Sequence, residues 1–295
     1  MHRLWLVIGV LLCFAAPLHA QQIPLDSVSV ADTSLRHLIR LRDGSTVMGR
    51  ITVVTADSVR VRLAQGELAL ARSGIAAVRQ VPRTSLRNGE YWFENPHPTR
   101  LLFSSTAYPV EKGTGYYANA WLFFHTFAAG ITDRFTLGGG ATTIPGIALR
   151  DNPFYLLPKY TIVNRPRAQV ALGALVGFLP FNTDPGDEVT TAGLLYAVGT
   201  TGTRESNVSL GLAWGYANDE ITSNPGVMLG GQGRISRRIS LISENWFFSV
   251  DNEVEGAISY GLRFLGEKLS VDLAWVSVLG ESGVGIPWLG FAFRF

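Results

Sequence analysis

Five charged residues stand where an alternating strand would turn them inward: Lys159, Glu244, Arg263, Asp272 and Arg294. Successive side chains of a strand point to opposite faces. Leu269, Val271, Leu273 and Trp275 oppose Ser270, Asp272 and Ala274, while Ile258, Tyr260, Leu262 and Phe264 oppose Ser259, Gly261 and Arg263. Folding that hairpin about Gly266 and Glu267 sets Arg263 diagonal to Asp272, which suits an internal ion pair. Lys159 follows Pro158 and is inward by the same pattern over Leu156 to Tyr160. Inward charges of this kind either line a pore or plug one, and the sequence leaves both open.

Other residues that could carry chemistry read as structural. Nucleophilic catalysis needs a base beside a hydroxyl or thiol. Of the five histidines, His97 falls in a linker and His125 alternates within Phe123 to Phe127, as a lumen or interface residue. No Gly-x-Ser-x-Gly elbow is present. The carboxylate pairs Asp187-Glu188 and Asp219-Glu220 lie in expected loops and read as solvated faces, not acid–base pairs or calcium ligands. Gly138-Gly139-Gly140 is followed by no Lys-Ser/Thr step, so it is not a phosphate loop; glycine there permits close packing or curvature. Asn207-Val208-Ser209 matches a glycosylation pattern but falls at an expected hairpin turn. No catalytic residue, metal site or cofactor is expected, and the chain is read as non-enzymatic.

The elements that must hold these residues are hairpins. Short polar turns fall at Thr132 to Arg134, Asn164 to Arg167, Gly202 to Asn207, Ser236 to Arg238 and Leu265 to Lys268. Longer connections fall at Pro145 to Pro153, Pro180 to Glu188, Ala217 to Pro225, Asp251 to Glu253 and Gly280 to Gly285, with a further turn near Glu111 to Gly113. Together they join about twelve strands between Leu101 and Phe295. Short turns on one side and longer loops on the other is the arrangement of outer-membrane barrels. Charged residues make up only 16% of the chain, apolar residues 47%, and glycines number 32. No segment beyond residue 20 is a clean apolar helix of about 20 residues. A chain this apolar without such helices is left with strands as its means of crossing lipid. Aromatic residues at Tyr116-Tyr117, Trp121, Tyr155, Trp214, Tyr216, Trp246 to Phe248 and Trp288 are expected to form interfacial girdles.

The two ends fit this picture. Arg3, the apolar run Leu4 to Ala16, and Ala20 before Gln21 read as a signal peptide over residues 1–20. The single cysteine, Cys13, lies inside it, so the mature chain of about 275 residues has no disulfide. At the other end Leu289, Phe291, Phe293 and Phe295 share one strand face. That strand resembles the last strand of bacterial outer-membrane barrels, which end in Phe. The resemblance implies that Phe291, Phe293 and Phe295 form the signal read by the barrel assembly machinery.

Residues 35–81 differ in character. His37 to Arg42, Val47 to Val53, Val59 to Leu63, Leu68 to Leu70 and Ile75 to Val78 are short, closely spaced strands with turns at Asp43-Gly44 and Gln65 to Glu67. Leu41 to Ile51 resembles the first motif of Sm-like small barrels. Over about 45 residues this implies an SH3/Sm-like β-barrel. The second motif, with its Arg-Gly step, is absent, and Gly74 to Val78 stand in its place, so nucleic-acid binding is not carried over.

The expected organisation is therefore all-β: a signal peptide at 1–20, a periplasmic Sm-like barrel at 35–81, a linker at 82–98, and an antiparallel transmembrane β-barrel at 99–295 in the outer membrane of a Gram-negative cell. Expected partners are outer-membrane lipids, the assembly machinery and a periplasmic protein. The expected role is porin-like passage of small solutes or a structural role in the envelope. The alternatives are an outer-membrane lipid hydrolase working through His125, or a soluble periplasmic β-barrel that binds a ligand.

Overall fold

In the computed structural model the chain divides into two compact units, Met1–Phe93 and Glu94–Phe295. The structure describes residues 24–25, 28, 35–81, 85–87, 90–148, 151–179, 190–218, 220–250, 253–281, 283 and 285–295. The signal peptide expected at 1–20 and the loop residues Asp187, Glu188 and Asp219 lie outside them.

The first unit holds β1 (Arg36–Leu41), β2 (Thr46–Val54), β3 (Ser58–Leu63), β4 (Gly66–Ala71) and β5 (Ile75–Val81), antiparallel in the order β4-β3-β2-β1-β5. The inward members of the alternation make the core: Ile39, Ile51, Val59, Val61 and Val78. The β1–β2 turn is set by Asp43, whose Oδ1 accepts hydrogen bonds from the backbone N and Oγ of Ser45 at 2.8 and 2.7 Å. Those bonds hold the Asp43 carboxyl below its usual range. All five expected strands are present, but the expected closed small barrel is not seen. No ladder joins β4 to β5 among the described residues, so the sheet is open. The physical reason lies in β4, which is exposed along nearly its whole length; Leu70 alone of its residues packs on the core, so little of the strand is buried to draw it round onto β5. A two-rung hairpin, β6 (Leu86–Arg87) with β7 (Glu90–Tyr91), follows, and Arg79 donates to the Tyr91 hydroxyl at 2.6 Å.

The second unit is a closed antiparallel barrel. Its strands are β8 (Gly115–Ala120), β9 (Phe124–Gly130), β10 (Phe135–Thr142), β11 (Phe154–Arg165), β12 (Ala168–Leu179), β13 (Thr190–Gly202), β14 (Ser206–Ala217), β16 (Gly226–Arg234), β17 (Ile239–Val250), β18 (Glu253–Leu265), β19 (Leu269–Val278) and β20 (Ile286–Arg294). A two-residue stub, β15 (Glu220–Ile221), pairs only with the end of β14. Each of the twelve pairs with its neighbours in sequence, and β20 pairs with β8 through Phe293↔Tyr117 to close the wall. No helix among the described residues is long and apolar enough to cross a membrane.

The alternation fixes the faces. Leu210 is 56% exposed on the outside while its neighbour Ser209 is fully buried on the inside. Leu137, Leu172, Leu229, Leu241, Leu273 and Leu289 repeat the outward pattern. Several large aromatics depart from the expected girdle. Tyr116, Tyr155 and Trp246 line the interior, and Trp288 is buried in the interior cluster.

The first strand also differs from the expectation. Leu101 to Val110 form no strand, and the wall begins at Gly115. Pro98 and Pro109 bracket that stretch, and Leu101-Leu102-Phe103 has no period of two, so it cannot supply a ladder edge. The count of twelve is restored by a turn that the expected turns omit. Trp121 and Leu122, at φ of 49° and 65°, reverse the chain between β8 and β9. Left-handed backbone is rare for bulky residues, and nothing in their types announces it.

Candidate functional site

Residues 95–110 enter the barrel from the short-turn end and occupy its lumen. Asn95, His97, Thr99, Arg100, Leu101, Leu102, Thr106 and Tyr108 are all buried. The segment folds on itself through Leu101 N to Ser104 O (2.8 Å) and Thr106 N to Thr99 O (3.0 Å). Leu101, Leu102 and Ala107 pack against Ala171, Val198, Met228, Ile242, Ala274 and Trp288 of the wall. Leu101 sits on Gly230, where a Cβ would lie only 2.5 Å from its Cδ1.

A buried irregular segment must find partners for its backbone groups, and here the wall supplies them. Thr200 Oγ1 accepts from Ala107 N (2.9 Å), Thr136 Oγ1 accepts from Val110 N (3.0 Å), and Thr161 Oγ1 donates to Ala107 O (3.0 Å). The wall charges do most. Lys159 Nζ donates to Ser105 Oγ, Thr106 O and Tyr108 O at 2.7–2.8 Å. The Glu244 carboxylate accepts from the backbone N of Phe103 (2.9 Å) and Ser104 (3.1 Å), from Ser104 Oγ (2.5 Å), and from Trp246 Nε1 (2.9 Å).

Arg263 and Asp272 form the centre of this network. They stand directly opposite each other across β18 and β19, not diagonally as expected. Arg263 Nε and Nη2 reach Asp272 Oδ1 and Oδ2 at 2.6 and 3.0 Å, the bidentate form that makes Arg–carboxylate pairs strong. Both side chains are fully buried. Arg263 also donates to the carbonyls of Arg100 (3.1 Å) and Leu101 (2.8 Å), and Asp272 accepts from Arg100 Nη2 (2.9 Å). His97, in the plug, lies against Lys268 O at 3.2 Å. Burial, then the nearby Arg100 and Arg263, push it down to about 3, so its imidazole stays neutral.

Arg294 is placed differently from the other four. It pairs at 2.5 Å with Glu111, which Arg204 also holds at 2.9 Å, where the plug leaves the lumen. Phe293 and Phe295 are exposed on the outside, and the Phe291 ring meets Tyr117 at 5.8 Å. His125 is hydrogen-bonded to the Tyr117 hydroxyl (2.7 Å) and Thr143 Oγ1 (2.8 Å), with Asn119 at 3.3 Å, and among the described residues none of its side-chain partners is a serine.

Above the plug, toward the longer loops, lies a cavity of about 420 Å³. Phe103 and Ser104 form part of its floor, and Leu157, Leu175, Leu194 and Tyr196 part of its wall. Tyr155 lies across the neighbouring strand because residue 140 is glycine; a Cβ there would sit 2.8 Å from its ring.

Sequence reasoning missed the plug residues, Arg100 and Ser104 above all. The available signal was Arg100 followed by an apolar triplet and three hydroxyl residues between two prolines, a composition unsuited to either a strand or a solvated linker.

No protein family matches the sequence, and no curated protein does. Solved structures do show similarity. The KdgM porin in complex with disordered oligogalacturonate is 8% identical, covering 62% of this chain and 98% of its own, at a TM-score of 0.44. The Salmonella typhi OmpF complex with daunomycin is 9% identical, covering 88% of this chain and 95% of its own, at 0.35. A loop L8 deletion mutant of the Vibrio cholerae outer membrane protein OmpT is 9% identical, covering 88% and 96%, also at 0.35.

Proposed function

We propose that this protein is a non-enzymatic outer-membrane barrel that passes a small solute through a lumen gated by its own plug. The observation that carries the reading is the pairing of a twelve-stranded closed wall, apolar outside, with an internal segment held by wall side chains. An apolar outer surface of this extent would be an aggregation hazard in water. In lipid it is the expected exterior, and closure leaves no unpaired edge in the hydrocarbon. The plug fastenings are side-chain contacts that can be broken without disturbing the wall ladders. On this reading the N-terminal sheet is an Sm-like module in the periplasm that docks a protein partner. Phe291, Phe293 and Phe295 serve the assembly machinery.

The test is conductance in planar bilayers, with heat-dependent gel migration as the check on folding. The intact protein should conduct little, and a variant lacking residues 96–108 should give discrete, larger steps. A folded deletion variant that stays as closed as the intact protein would overturn solute passage.

A further inference from the structure

The cavity above the plug has a chemical character of its own. Its volume of about 420 Å³ lies within the range of about 300–1,000 Å³ found for pockets that take drug-sized ligands. Leu157, Leu175, Leu194, Met228 and Trp246 supply apolar walls. From below, Phe103 presents a side chain that is 57% exposed although the segment bearing it is buried on either side. Glu244 holds that exposed ring in place through the backbone of Phe103 and Ser104. A large apolar side chain fixed at the floor of an apolar chamber is a contact surface awaiting a partner.

Lys159, Glu244 and Asp272 are already engaged, and among the described lining residues Arg100 Nη1 and Asn119 Oδ1 are the buried side-chain atoms left without a partner. Lys159 spends its three donors on the plug, Glu244 accepts four hydrogen bonds, and Asp272 is shared by Arg263 and Arg100. A sugar or an ion entering the chamber would lose its hydration and find few free partners, which is costly. An uncharged apolar molecule loses nothing of that kind and buries its surface.

We propose that this chamber is a binding site for a small, uncharged apolar solute, of aromatic or alkyl character, that sits on Phe103 between Leu194 and Trp246. The proposal rests on the solute-passage reading and names its substrate class. A free solute is favoured over a membrane acyl chain because the chamber lies within a closed wall, between the plug and the loop end.

The methionines make a direct test. Of the three in the chain, Met228 alone belongs to the barrel and lines the chamber, while Met48 lies in the N-terminal sheet. With ¹³C-labelled methionine methyls in the full-length protein, in chain-deuterated detergent, biphenyl should shift the Met228 signal saturably. Met48 should not move, and maltose should move neither. Leu194→Asp should weaken the biphenyl effect at least tenfold; should that variant not fold, Leu157→Gln serves in its place. A folded wild-type barrel whose Met228 signal does not saturate with biphenyl, or responds equally to maltose, overturns the proposal. With protonated detergent, a nuclear Overhauser contact between Met228 and detergent chains that biphenyl cannot displace assigns the chamber to an acyl chain and also overturns it. Conductance separates the two readings. Failed binding with an open plug-deleted pore leaves passage standing for another solute, while saturable binding without conductance leaves a binding site and removes passage.

Discussion

The two halves of the lumen are built from the same strands by the same alternation, yet they are opposites. Toward the short turns the inward residues are Lys159, Thr161, Thr200, Ser209, Gln232, Arg263 and Asp272, and that half is filled by the plug. Toward the loops the inward residues include Leu157, Leu175, Leu194 and Trp246, and that half is hollow. A polar interior in a closed barrel demands partners for its groups; the plug supplies many of them through its backbone and the side chains of Asn95 and Arg100, and the wall pairs others, as Thr200 does Ser209. A mainly apolar interior makes less of that demand and need not be filled by protein.

If that contrast is right, substitutions in the filled half should be severe and those in the hollow half mild. The largest effect is expected for Asp272→Ala, which leaves Arg263 charged and buried without its carboxylate. Breaking one side of a buried pair typically costs about 3–5 kcal/mol. Urea unfolding followed by heat-modifiable gel migration should show the loss, and adding Arg263→Met should recover part of it. Lys159→Met strands three plug acceptors and should cost about 1–3 kcal/mol, together with bursts of conductance in bilayers. Acid should loosen the filled half in a defined window. His97 has a folded-state value of about 3, below the ordinary 6.5, so the unfolded chain takes up the proton first. Stability is then lost as pH falls below 6.5, by up to about 2 kcal/mol at pH 5. A His97→Gln variant should lack this slope over the same range in urea titrations. In the hollow half, Leu194→Ala enlarges a void that already exists and should cost less than about 1 kcal/mol, short of the usual 2–5 for a packed leucine. Equal losses for Leu194→Ala and Asp272→Ala would erase the distinction.

How much of this was legible in the sequence follows from what each feature depends on. The five short turns and the faces of β14, β18, β19 and β20 are local properties, and residue types alone placed them. The contact between Arg263 and Asp272 depends on one hairpin register, which Gly266 and Glu267 nearly determine. The plug depends on something else. Residues 96–108 take their conformation from side chains on strands about 50 to 170 residues away, so no periodicity within the segment describes it. The Trp121–Leu122 turn escaped for a related reason: its left-handed backbone is imposed by the strands on either side and not by a glycine. The open edge of the N-terminal sheet turned on how little of β4 is buried, a quantity that a strand count ignores.

The plug also has a mechanical property. Its two feet stand at the same rim: Asn95 is tied to Glu205 and Arg204, and Glu111 to Arg204 and Arg294. A strap anchored this way is not sheared when its leading end is drawn outward. It peels, with the bonds loaded one after another, first at Asn95, next at the Arg263 and Asp272 cluster, and last at Lys159 and Glu244. Tension on Glu94 would therefore meet a series of small barriers in place of one large one, and the strap could slide back along the same route when the tension is released.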